Sequence, residues 1–143
     1  MPRYKRLFLL IASLMVSQGA TAQEADISGK LLVELNAAET MEASCKLTFL
    51  MTNGLDLAID KVVYEAVLFD TGGKVDRLTL FDFGSLPPAR PRVRQFVVPD
   101  VTCEALGRVL FNGVNSCEGA GVEASLCETG LLATSRTDIE VSG

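Results

Sequence analysis

Apolar and polar residues alternate along most of this chain, and helical spacing is scarce. "GKLLVELN" (29–36) alternates Leu31, Val33 and Leu35. "CKLTFLMTN" (45–53) sets Cys45, Leu47, Phe49 and Met51 against Lys46, Thr48 and Thr52. Period-two patterning of this kind buries one face of a sheet and wets the other. "KVVYEAVLFD" (61–70) and "KVDRLTLFDF" (74–83) flank "TGG" (71–73), whose paired glycines suit a tight hairpin. "RVRQFVV" (92–98), "LGRVLFNGV" (106–114) and "TDIEV" (137–141) complete about seven short strands. "AAETMEAS" (37–44) is expected to make one helical turn between the first two strands, and residues 115–136 read as irregular. No internal repeat or linker divides the chain. The pattern predicts an all-β fold, an immunoglobulin-like antiparallel β-sandwich.

"CKLTFLMTN" followed by "VVYEAVLFDTGGKV" resembles the FxLYD-type immunoglobulin-like module of exported bacterial proteins. In that family a hydrophobic strand ends in an Asn-containing turn, and the next ends in an aromatic–Asp pair before a Gly hairpin. Leu68-Phe69-Asp70 matches the second feature, while Ala66 replaces an expected aromatic residue. "GSLPPARPRVRQFVV" is similar to the family's small-Pro turn and following strand. The likeness spans roughly residues 45–112; it implies a sandwich and supplies no catalytic residue to carry over. The whole chain also resembles small exported proteins of alphaproteobacteria with four cysteines in similar places.

The start of the chain alters how the rest is counted. Arg3, Lys5 and Arg6 precede the ten-residue apolar run "LFLLIASLMV" (7–16), and Ala20-Thr21-Ala22 ends the segment in a small-x-small pattern. The run falls short of the roughly 20 residues a membrane helix needs. A general secretory signal peptide cleaved after Ala22 is expected, with residues 23–143 forming one domain in the periplasm or outside the cell. Losing the leader leaves 10 Lys and Arg against 18 Asp and Glu, a formal charge of −8. That balance disfavours nucleic acid and anionic membrane surfaces, and no later segment is long enough to span a bilayer.

Four cysteines, Cys45, Cys103, Cys117 and Cys127, point to two disulfides in an exported domain of this size. Three connectivities are open; Cys45–Cys103 and Cys117–Cys127 are expected, one tying an early strand to a late one and one closing a local loop. A metal centre would want CxxC spacing or histidine, and both are absent. No cofactor or metal is expected.

The absence of histidine removes Ser-His-Asp and Cys-His catalysis, and paired cysteines leave no thiolate nucleophile. A Ser-Lys arrangement through Lys30, Lys46, Lys61 or Lys74 has no supporting spacing. Asp82-Phe83-Gly84 matches a kinase tripeptide without the phosphate loop or catalytic loop it requires. Asp56 and Asp60 are two acids four apart, well short of a calcium shell. Paired carboxylates working as in a glycosidase stay open, although Trp is absent and few aromatics lie outside the apparent core strands.

"PARPRVRQF" (88–96) then stands out, with Arg90, Arg92 and Arg94 at every second position of an acidic chain. If extended, they form a positive row of roughly 13 Å suited to carboxylate or phosphate. Pro87, Pro88 and Pro91 place the stretch at a sheet edge, where charge and proline also serve to block pairing with other chains. Parity is awkward: Phe96 and Val98 fall on the arginines' face, so a bulge near Arg94, or a strand beginning there, is expected. Edge protection with internal pairing to acids and capture of an acidic envelope protein or anionic ligand are both compatible with this comb. The leading expectation is a non-enzymatic binding or accessory module of the bacterial cell envelope. The alternatives are a small carboxylate-dependent hydrolase or carbohydrate-active enzyme, and a self-associating structural component.

Overall fold

A computed structural model describes residues 26–143, so the expected leader and its cleavage point lie outside the described residues. Eight strands, rather than about seven, form two four-stranded sheets packed as a sandwich. They are β1 (Leu31–Met41), β2 (Ser44–Asn53), β3 (Ile59–Asp70), β4 (Val75–Leu86), β5 (Arg92–Val98), β6 (Leu106–Glu118), β7 (Leu131–Ser135) and β8 (Glu140–Ser142). One sheet has the order β5-β2-β1-β7 and the other β4-β3-β6-β8. Strand-to-strand pairing is antiparallel except at one margin, where β7 runs parallel to β1 and β8 parallel to β6; an isolated parallel bridge also joins Asn53 and Pro88. The opposite margin is bounded by β4 and β5, each with a partner on one side only.

Strand β2 shows why the sequence folds this way. Cys45, Leu47, Phe49, Met51 and Asn53 are fully buried, while the residues between them are partly exposed. Phe49 sits among Phe81, Phe83 and Phe111 of the facing sheet and Phe96 of its own. Tilted and edge-to-face contacts prevail, the geometry that ring quadrupoles favour, with Phe81 and Phe96 stacked at 4.5 Å. Tyr64 completes this cluster. Its hydroxyl donates to the Cys127 carbonyl oxygen at 2.6 Å.

The hairpin at 71–73 forms as expected. The Asp70 carboxylate accepts from the backbone N–H groups of Gly72 and Lys74, each at 2.9 Å, and Gly73 takes φ 82°. Residues 37–44 do not make a helical turn. Strand β1 instead carries an extra residue at Asn36, resumes pairing at Ala37, and turns back through Glu42 at φ 55°. Beyond that bulge only Ala38 packs against the core, so alternation fades while the ladder persists. The stretch 115–136 is likewise more ordered than expected. It holds the end of β6, a short helix α1 (Ala124–Thr129) and strand β7.

Both expected disulfides are present. Cys45 of β2 bonds Cys103, in a single 3-10 turn before β6, and Cys117 of β6 bonds Cys127 of α1. Two such bonds fit an oxidising, non-cytoplasmic compartment. Among the described residues no helix is long and apolar enough to cross a membrane.

Candidate functional site at the β4–β5 margin

The β2–β5 ladder runs without a shift from Cys45 opposite Val98 to Met51 opposite Arg92. Strand β5 therefore starts at Arg92 and contains no bulge, which corrects both expectations drawn from its parity. Arg92 and Arg94 do share the inward face with Phe96 and Val98, at the open margin where the two sheets part.

The irregularity lies across the gap, in β4. Val62 of β3 faces Gly84 and Val63 faces Asp82, which leaves Phe83 as an extra residue. Gly84 adopts φ 66°, and its N–H is capped by the Asp82 carboxylate at 2.8 Å. This local reversal delivers two carbonyls to the margin. Arg94 Nε donates to the Phe83 oxygen at 2.8 Å and Nη2 to the Ser85 oxygen at 3.3 Å, while Nη1 reaches its neighbour Val93 at 3.0 Å. Arg94 is thus a tie between the sheets. Arg77 makes a matching tie from β4, donating from Nη1 to the Pro99 oxygen at 2.7 Å. Beside Arg77 runs a groove of about 390 Å³ that includes Phe81 and Phe96 in its walls.

The three arginines do not form one row. Arg90 belongs to the connector 87–91, where Ala89 turns at φ 57°, and it is exposed. Arg92 is partly exposed and donates only to the adjacent Pro91 oxygen, at 3.2 Å. Among the described residues, ion pairs join Lys46 to Glu39, Arg77 to Asp76 and Arg136 to Glu34. None involves Arg90, Arg92 or Arg94; in place of the expected internal pairing with acids, Arg94 bonds carbonyls of β4 and Arg92 only the carbonyl of its neighbour Pro91.

The connector is positioned by a residue that sequence reasoning passed over. Asn53 is fully buried; its Nδ2 donates to the oxygens of Leu57 and Leu86, both at 2.8 Å, and its Oδ1 accepts from the Leu55 N–H at 2.9 Å. Its own carbonyl accepts from Ala89 N–H at 2.9 Å. One amide thereby fixes both the β2–β3 loop and the start of the arginine-bearing connector. The signal was available: Asn53 continues the buried parity of β2, where a polar residue must find partners.

A larger concavity of about 590 Å³ opens at an end of the sandwich beside Cys103, with Glu104 and Asp138 on its walls. Glu104 is held below the usual carboxylate range by its own backbone N–H and by Thr40, whose hydroxyl donates at 2.8 Å. Glu34 is lowered by Asn36 and then Arg136, and Asp26 by Ser28. The carboxyl groups that move all move towards ionisation, opposite to a general acid. Asp56 and Asp60 lie around the β2–β3 loop, and among the described residues no three potential ligands converge on a metal position.

No protein-family model matches the chain, and no match emerges with curated proteins or with solved structures.

Proposed function

We propose that the chain is an exported, non-enzymatic binding or accessory module of the bacterial cell envelope, kin to the FxLYD-type modules. Its ligand is an acidic envelope protein or other anionic ligand, met at the beginning of β5 by Arg90 and Arg92. The observation that carries this reading is the division of the comb: Arg94 is committed to carbonyls of β4, whereas Arg90 and Arg92 have no carboxylate partner among the described residues. A guanidinium held at a rigid edge loses little freedom on capturing a carboxylate or phosphate. Among the described residues the Phe and Tyr rings other than Phe69 lie in the cluster between the sheets, which favours a binding module over a carbohydrate platform. The expected route is secretion with cleavage after Ala22, to the periplasm or beyond.

The test is capture from native envelope extract by immobilised protein, run beside an Arg90→Ser/Arg92→Ser variant of unchanged melting temperature. The proposal expects a ligand retained by the parent, lost by the variant and released by salt. Equal retention by both proteins overturns it.

A further inference from the structure

The outer faces of the two sheets differ in chemistry. That of β5-β2-β1-β7 mixes the exposed Val93 and Val97 of its edge strand with the Lys46–Glu39 and Arg136–Glu34 pairs and a Gln95 to Thr48 hydrogen bond. That of β4-β3-β6-β8 is apolar at its centre. Val67 is buried yet outside the inter-sheet core, and it lies between Leu78 of β4 and Leu110 of β6. On one side of this row, Phe69 lies between Val75 and Arg108; on the other, Glu65 lies between Leu80 and Gly113. Val75, Leu78 and Leu80 are 55%, 60% and 53% exposed. Outward-facing Leu and Val contiguous across three strands are unusual on a sheet face that meets only water.

Arg108 and Glu65 border the patch with opposite signs, Glu140 of β8 stands opposite Arg108 in register, and neither Arg108 nor Glu65 makes an ion pair within 4.0 Å among the described residues. The Arg108 guanidinium lies over the Phe69 ring, 4.1 Å from its centroid, and its Nε is buried with no hydrogen-bond acceptor. Leaning that way moves the cation from β6 onto the column of β3. Glu65, four residues from Phe69 on that column, accepts from the Asn112 side-chain amide at 2.6 Å.

We infer that this face docks on a second copy of the chain, about a two-fold axis lying along the Leu78–Val67–Leu110 row. Alternate residues on β3 stand roughly 6.6–6.8 Å apart, so the Phe69 and Glu65 positions flank that axis at equal distances. The rotation lays Leu78, Val67 and Leu110 on their own copies, brings Val75 over the other copy's Leu80, and brings Phe69 over the other copy's Glu65 position. It also carries each Arg108 guanidinium over the other copy's Glu65. The pairing occurs twice, once for each copy, as an isologous interface requires. The accessible part of the guanidinium and the Glu65 carboxylate then pair, and their charge complementarity sets register. Strand β5 belongs to the other sheet, so the dimer presents two Arg90–Arg92 edges.

Sedimentation velocity on protein recovered from an oxidising compartment tests this. The parent is expected to be a dimer at about 100 μM, within the range of modest interfaces. Leu78→Glu, at an already exposed position, places two carboxylates on the axis and yields a monomer with unchanged circular dichroism. Arg108→Glu and Glu65→Arg each weaken association by at least about tenfold, and the combined swap restores it, since the pair is rebuilt with reversed polarity. A monomeric parent overturns the inference, as does a dimer indifferent to Leu78→Glu, or folded single swaps that the double swap fails to rescue.

Discussion

Replacing Asn53 with Ala removes three hydrogen bonds from a fully buried side chain while leaving the backbone in place. The Leu57 oxygen is only part-buried and can be reached by water. The Leu55 N–H and the Leu86 oxygen are bonded to Asn53 in the interior, and each is orphaned by the change. An unsatisfied buried group costs about 1–3 kcal/mol, so the pair costs about 4 kcal/mol. That is a large share of the roughly 5–15 kcal/mol that holds an ordinary domain together. With a urea m-value of about 2 kcal/mol/M, the unfolding midpoint falls by about 2 M. Asn53→Asp should be worse than Asn53→Ala, because a carboxylate cannot donate to either carbonyl and brings a charge into the interior. Asn36→Ala is the control: its exposed bond to Glu34 spans two residues, and its loss should stay within about 0.5 kcal/mol. Urea melts of the three variants by circular dichroism give the answer. A loss below about 1 kcal/mol for Asn53→Ala, or Asp tolerated better than Ala, would refute Asn53 as the tie between the two loops.

Tyr64→Phe deletes the buried bond to the Cys127 carbonyl and should cost about 1–2 kcal/mol by the same melts. Burial, then the nearby Glu128 charge, pushes the Tyr64 phenol above its ordinary value of 10.0. A raised folded-state value means its contribution to stability is full below pH 10.0 and declines above it, because only the unfolded chain releases the proton readily. Tyrosinate absorbance should therefore rise together with loss of the β circular dichroism signal; ionisation at ordinary pH in a folded protein contradicts this. Converting Cys45 and Cys103 to Ala opens a crosslink across 58 residues and should cost about 4 kcal/mol, against about 3 kcal/mol for Cys117 and Cys127 across 10. Urea midpoints in the reverse order would show that strain or residual structure outweighs loop length.

What the sequence disclosed was chiefly what parity and short-range turn chemistry control. Strand β2 alternates so regularly that its buried face could be named residue by residue, and Asp70 with Gly73 announced the β3–β4 hairpin. The favoured disulfide pairs, one of three open connectivities, are the ones present. The second half of β1 was hidden because, Ala38 apart, its side chains are exposed and answer to no hydrophobic rule. Strand β7 was hidden because five partly exposed or exposed residues pair in parallel with β1, a contact that no local turn signals. At the candidate site, the arginines were visible and their division was not. Arg94 looked like its neighbours until β4, from the opposite sheet, supplied the Phe83 and Ser85 carbonyls through a bulge at Gly84. Arg108 carried no signal either, since its place over Phe69 depends on the register between β3 and β6.

Thermal melts of two variants test most directly the claim that the comb is divided between a tie and a binding edge. Arg94→Ser gives up charge-assisted bonds to β4 worth about 1.5–3 kcal/mol, which at about 4 °C per kcal/mol lowers the melting temperature by roughly 6–12 °C. Arg90→Ser/Arg92→Ser touches exposed groups and should stay within about 2 °C of the parent. An Arg94→Ser protein that melts with the parent, or an Arg90→Ser/Arg92→Ser protein that loses as much as Arg94→Ser, would contradict the division.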